Sequence, residues 1–137
     1  MTTSRGRGTV DHPNLMRTLG GSIRAFYDDL ASIQTPDGNA QERTMVLAWS
    51  EFGRRIAEND GGTDHGTAGL SFWVGRAVRG GTYSDYPDLS NLDRNGNMKC
   101  TVDFRSLYAT VLDRWLGQDA AATDAMLGSA YPRLGFL

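Results

Sequence analysis

Cys100 is the only cysteine in 137 residues, so the chain can form neither an intrachain disulfide nor a thiolate metal cluster. Lysine is almost missing as well. Lys99 stands alone and every other basic residue is arginine, a bias that high-GC coding explains as readily as any need for guanidinium forks. Neither sign of charge dominates. A formal net charge of −2 gives no electrostatic case for nucleic acid or for an anionic membrane surface. No apolar run approaches the ~18–20 residues needed to cross a bilayer. Met1 to Val10 is polar and basic, without the apolar stretch of a secretory signal. There is no GxxxxGK[ST] phosphate loop, no GxGxxG after a strand and no GxSxG elbow. Cys100 has no nearby histidine and no following Pro-x-Arg. These absences exclude several classes and select none.

What is present is the composition of a globular domain, with a hydrophobic share of 39% and a charged share of 22%. The length suits one compact unit. We expect residues 1–10, rich in Ser, Thr, Arg and Gly, to be a disordered amino-terminal segment, and 11–137 to be a single α/β domain. From Pro13, the residues Leu15, Leu19, Ile23, Phe26, Tyr27, Leu30 and Ile33 recur at steps of three and four, predicting a helix that starts near Asp11 or His12. Thr35-Pro36-Asp37-Gly38-Asn39 ends it with turn chemistry. Thr44 to Trp49 is apolar without alternation, which predicts a strand buried on both faces, as in parallel sheets covered by helices. Leu70 to Val74 predicts a second strand, and Gly61 to Gly69 a glycine-rich loop before it. Phe104, Leu107, Tyr108, Val111, Leu112, Trp115 and Leu116 predict a helix capped by Thr101 or Asp103 and ended by Gly117. A short helix and an extended terminus are expected after Ala120.

Asp64-His65 is the sharpest chemical candidate. Flanked by Gly61, Gly62 and Gly66, the pair could turn a hard oxygen and a borderline nitrogen toward one cation, a mixture that suits zinc or manganese. A turn-capping Asp64 beside a surface His65 would look the same. Glu51, just past the first strand, is a third candidate ligand, or else a solvated partner of Arg54 or Arg55. Arg54 could clamp an anionic substrate oxygen, or form a surface salt bridge. His12, Asp103 and Arg105 read more simply as structural. Asn91-x-Asp93-x-Asn95-Gly96 begins like a calcium loop, but its twelfth position is Val102, where a bidentate glutamate is required. We read it as a turn.

Val46-Leu47-Ala48-Trp49-Ser50-Glu51-Phe52-Gly53-Arg54-Arg55, then Gly62-Thr63-Asp64-His65-Gly66-Thr67-Ala68, resembles the DUF1501 family, a large group of bacterial proteins assigned to the alkaline-phosphatase and sulfatase superfamily. The likeness continues through Val78-Arg79-Gly80-Gly81, Tyr86-Pro87, Asp103-Phe104-Arg105, Tyr108-Ala109 and Trp115-Leu116-Gly117, and begins upstream at Ala25 to Leu30. It implies a partial alkaline-phosphatase-like three-layer α/β/α sandwich and a metal-dependent phosphate- or sulfate-ester hydrolase. A divalent metal, zinc or manganese, would be held by His65, Asp64 and Glu51, with Arg54 steadying a small anionic ester. Phe52 stands where a ligating histidine would be and cannot ligate. The resemblance also implies that this chain matches the carboxyl-terminal part of longer proteins, with the nucleophile half elsewhere. The domain would then be incomplete by itself, and a homo-oligomer or a missing amino-terminal half would cover its exposed strand edge. The alternative is a non-catalytic metal- or anion-binding or interaction module. Relatives of this kind are expected to be exported to the periplasm.

Overall fold

The computed structural model describes residues 7–59 and 62–137, the side chains of 7–12 excepted. The expected frayed start therefore lies, for residues 1–6, outside the described residues, and so does the side chain of His12. Helix α1 spans Arg7–Leu30. It begins upstream of the predicted start and carries Pro13 inside it. Its apolar stripe stays largely bare: Leu19 is 39% and Phe26 51% exposed, and the helix makes no extensive contact with another element. Only its last turns are tied down. The Tyr27 hydroxyl donates to the Gln41 carbonyl at 3.0 Å, and the Gln41 amide returns a bond to the Tyr27 carbonyl at 2.9 Å. Gln41 is buried and also accepts from Arg76 at 3.1 and 3.2 Å, so it joins the end of α1 to the chain beyond the second predicted strand.

Strands β1 (Gln34–Thr35) and β2 (Gly38–Asn39) form a tight hairpin around Pro36 and Asp37, where the sequence predicted a helix-ending turn but no strands. Strand β3 (Met45–Trp49) pairs with β6 (Ser71–Gly75), Leu47 lying opposite Trp73. The pairing is antiparallel, which corrects the parallel sheet expected from the sequence. Nor is the strand buried on both faces as expected: Met45 to Ala48 are half-buried and Trp49 is exposed, so an unalternating apolar run settled neither the direction of the pairing nor the depth of burial. Between these strands in sequence, β4 (Gly53–Asn59) and β5 (Gly62–Gly66) make a third antiparallel ladder. The segment predicted as a glycine-rich loop is thus largely a strand. The chain is a mixture of helix and strand, and its described sheets are small, antiparallel and two-stranded.

Helix α2 (Phe104–Arg114) begins at Asp103, whose carboxylate accepts from the Arg105 backbone N–H as predicted. Gly117, at φ +70°, follows its end. Helix α3 (Ala120–Leu127) is capped by Asp119 and leaves through the left-handed Gly128. Across from α2 lies the face of β3 and β6 that carries Met45, Leu47 and Trp73, and an apolar groove of about 430 Å³ runs between them. Alternation places Val46, Ala48, Phe72 and Val74 on the other face of that ladder.

The carboxyl-terminal segment is sewn to the helices by polar bonds. Arg133 donates to Asp113 at 2.6 Å and to Asp124 at 2.7 Å, while the Thr123 hydroxyl reaches Asp113 at 2.5 Å. The Leu134 N–H bonds the buried Thr110 hydroxyl, and Arg114 caps the Leu134 and Leu137 carbonyls. The Arg133 guanidinium, and after it the Thr123 hydroxyl, hold the Asp113 carboxyl below the ordinary aspartate range. Asp93 is lowered in the same way by the Asn97 side chain and backbone N–H, which close the polar turn at Gly96. A carboxylate depressed in the folded state contributes stability that is full above its unfolded value, about 3.8, and lost as pH falls through its folded one. Melting temperature should therefore be insensitive to these groups above pH 5 and fall steeply below pH 4. Asp113→Asn should lower it at neutral pH and flatten the acid slope, as calorimetry from pH 2.5 to 7 would show. An unchanged slope would remove Asp113 from the acid transition.

Among the described residues no helix is long and apolar enough to cross a membrane.

Candidate functional site

The β4–β5 ladder carries most of the candidate residues. Arg54 and His65 are direct cross-strand partners, so their side chains leave the same face of the hairpin. Phe52, two residues before Arg54, adds its ring to that face. It stacks on the His65 imidazole with centroids 3.5 Å apart and planes 12° from parallel. The Arg54 guanidinium stands 5.1 Å from the Phe52 centroid, close enough for a cation–π contact. One of its terminal nitrogens donates to the Thr63 carbonyl at 2.7 Å, which fixes the side chain along the hairpin. The remaining guanidinium donors have no partner among the described residues, and neither ring nitrogen of His65 has one. The face therefore offers an exposed guanidinium anchored to the Thr63 carbonyl beside an exposed imidazole stacked on an aromatic ring.

Asp64 does not share this face. Successive residues of a strand point to opposite sides, and Asp64 accepts from the Asn59 side-chain amide at 2.7 Å on the other side of the hairpin. The expectation that Asp64 and His65 turn toward one cation assumed a loop. In a strand the pair is split. Glu51 lies just before β4, exposed and without a hydrogen bond or ion pair among the described residues. No group of three or more His, Cys, Asp or Glu side chains that could hold a metal occurs among the described residues. As placed here, His65 and Asp64 leave opposite sides of the hairpin and Glu51 lies before β4.

Two glycines make the hairpin possible. A Cβ on Gly53 would sit 1.7 Å from the Ala68 carbonyl oxygen, where the chain leaving β5 crosses back over the start of β4. A Cβ on Gly66, opposite Gly53 in the register, would meet the Arg54 backbone at 2.8 Å. The glycines flanking Arg54 and His65 thus serve close backbone approach, which brings the Arg54 N–H within 3.2 Å of the Ala68 carbonyl. Between Arg54 and Glu58 the register slips, and the bulge carries Arg55. Its Nε is buried without a hydrogen bond among the described residues, and its charge reaches Asp93.

Sequence reading missed the hairpin and the role of Phe52. The sequence signal for the first was Asp-Gly at 60–61, a dipeptide that favours tight hairpin connections. Once β4 is known, period-two spacing puts Phe52 beside Arg54.

Fold and site together define a small mixed helix-and-strand protein that presents an Arg–His pair on an antiparallel hairpin. The chain belongs to the DUF1501 family, described as proteins of unknown function, whose model matches residues 7–132. No curated protein and no solved structure matches it.

Proposed function

We propose that the Arg54–His65 face is the anion-recognising part of a phosphate- or sulfate-ester hydrolase-like site that is incomplete in this chain alone. The observation that carries the reading is the cross-strand pairing of Arg54 with His65, the imidazole fixed by Phe52 and the guanidinium by the Thr63 carbonyl. A guanidinium with free donors binds the non-bridging oxygens of a phosphoryl or sulfuryl group. An imidazole beside it can hold a proton for the same group or act as one ligand of zinc or manganese. A divalent metal is part of this reading only if its other ligands come from outside the described residues. Asp64 and Glu51 would join such a site only by leaving their present positions. The reading places the chain in the alkaline-phosphatase and sulfatase superfamily, as the carboxyl-terminal part of a three-layer α/β/α sandwich whose other strands and nucleophile lie elsewhere.

Isothermal titration with inorganic phosphate tests the anion half. Arg54→Ala should weaken binding tenfold or more, the equivalent of one charge-assisted hydrogen bond. Arg54→Lys should restore only part of it. Equal affinity in all three proteins would end the reading. For the metal half, elemental analysis after incubation with zinc or manganese should find ion in the wild type that His65→Ala lacks. Protein that stays metal-free in both forms would leave anion recognition without a metal.

A second reading, a non-catalytic interaction module, is favoured by the large exposed apolar side chains of α1 and β6.

A further inference from the structure

An antiparallel hairpin of two strands is marginally stable by itself in water. The β4–β5 hairpin makes no extensive contact with another helix or strand among the described residues. Its ladder is short and slips between Arg54 and Glu58. The register that sets Arg54 against His65 therefore needs support from outside the ladder. That support comes from residues 91–100, the turn whose start resembles a calcium loop and lacks its last ligand.

Two attachments join turn and hairpin. The Thr67 hydroxyl, two residues past His65, donates to the Met98 carbonyl at 2.9 Å, and the Cys100 thiol donates to the Thr67 carbonyl at 3.2 Å. Arg55, in the bulge of β4, brings its charge to Asp93. One attachment grips the bulge and the other the chain leaving β5, so both strands are held. The turn is itself braced. Asp93 accepts from the backbone N–H groups of Asn95 and Asn97 at 2.8 Å, and from the Asn97 side-chain amide at 3.0 Å. Lys99 donates to the Asn91 side chain at 2.6 Å. The Thr101 hydroxyl then ties the chain to the Asp85 carbonyl at 3.0 Å, two residues before the Asp103 cap of α2. A hairpin with little packing of its own is thus fastened to a cross-linked turn.

We propose that this turn is the platform that positions the Arg54–His65 face, with Thr67 and Asp93 as its positioning residues. Both act through the register of the hairpin. Losing either attachment frees one strand to shift against the other, and the Phe52 ring, which precedes β4, then slides off the His65 imidazole. The effect on anion affinity rests on the functional reading given above. The effect on ring geometry does not.

Proton NMR of the full chain reads that geometry. The chain has two histidines, and His12→Gln assigns their signals. A ring stacked 3.5 Å from the His65 imidazole shifts its carbon-bound protons upfield. Thr67→Val and Asp93→Asn should each move them downfield, whereas Thr67→Ser, which keeps the hydroxyl, should leave them at the wild-type position. Asp113→Asn loosens the carboxyl-terminal segment and should leave them unmoved, which separates positioning from a general loss of stability. Phosphate affinity should fall about fivefold in Thr67→Val, the worth of one hydrogen bond, and return in Thr67→Ser. Signals that stay in place in either Thr67→Val or Asp93→Asn overturn the proposal, and so does an equal shift in Asp113→Asn. Phosphate binding in the wild type that Thr67→Val leaves unchanged does the same. Downfield movement in a chain that binds no phosphate in any form supports the platform and removes the anion reading instead.

Discussion

Phe136→Ala should cost about 3–5 kcal/mol and lower the melting temperature by roughly 10 °C or more. Phe136 is 2% exposed, and the other buried apolar residues among those described, Ala68 and Ala109, are both alanines. Its ring lies 5.0 Å from that of Trp73 in β6 and meets Tyr83 edge-on at 5.9 Å. Its carbonyl accepts the Arg79 N–H at 2.8 Å, while Tyr83 returns a bond to the Arg79 carbonyl at 2.8 Å. One side chain therefore joins the ladder, the 79–83 turn and the carboxyl-terminal segment. Truncation would leave a cavity that the flanking backbone bonds keep from collapsing. Phe136→Leu should retain more than half of the lost stability. Calorimetry checks the size of the effect, and a red shift of tryptophan emission should accompany it as Trp73 gains water. A melting point within about 2 °C of wild type would place the core elsewhere.

Gly53→Ala should be nearly as damaging, for a different reason. The new methyl would stand 1.7 Å from the Ala68 carbonyl oxygen and 2.5 Å from the Ala68 nitrogen. Both are backbone atoms, so no rotamer relieves the overlap. The crossing must open, and the bond from the Arg54 N–H to Ala68 goes with it. A loss of about 3 kcal/mol or more is expected. Gly66→Ala should cost less, its closest approach being 2.8 Å. Gly20→Ala should stabilise by about 1 kcal/mol, since Gly20 lies inside α1 with nothing near its added carbon. The order of melting temperatures, Gly53→Ala lowest and Gly20→Ala highest, is the measurement. Equal values for the two would show that the close crossing of β4 and the Ala68 segment is absent in solution.

Local chemistry was the legible part of the fold. The Asp103 cap, the Gly117 exit, the turn at Pro36-Asp37 and the polar turn at Gly96 depend on neighbours within a few residues, and all of them stand where the sequence placed them. Neither strand direction nor burial was legible from Met45 to Trp49, because the run is apolar throughout yet pairs antiparallel and is only half-buried, with Trp49 exposed. Thr63-Asp64-His65 misled for a related reason. Glycines at 62 and 66 suggest a loop, yet here Gly66 serves a backbone crossing that involves residues more than ten positions away. Of the site, Arg54 and His65 could be named from residue type, but their pairing required the register, and the register rests on a bulge that no periodicity announces. Asp64 was tied to His65 by adjacency in sequence, which in a strand means opposite sides.

The β4–β5 hairpin lies wholly within the connection between β3 and β6, and this nesting bears on the order of assembly. A short hairpin closes in microseconds, before more distant partners meet. Once closed, it replaces most of the chain between Trp49 and Ser71 with a rigid stem. The outer strands then have only a few loose residues left to span, which lowers the entropy of joining them by roughly 1 kcal/mol. Folding should proceed from the inside outward, and substitutions at Gly53 or Gly66 should slow it more than equally destabilising changes in α2.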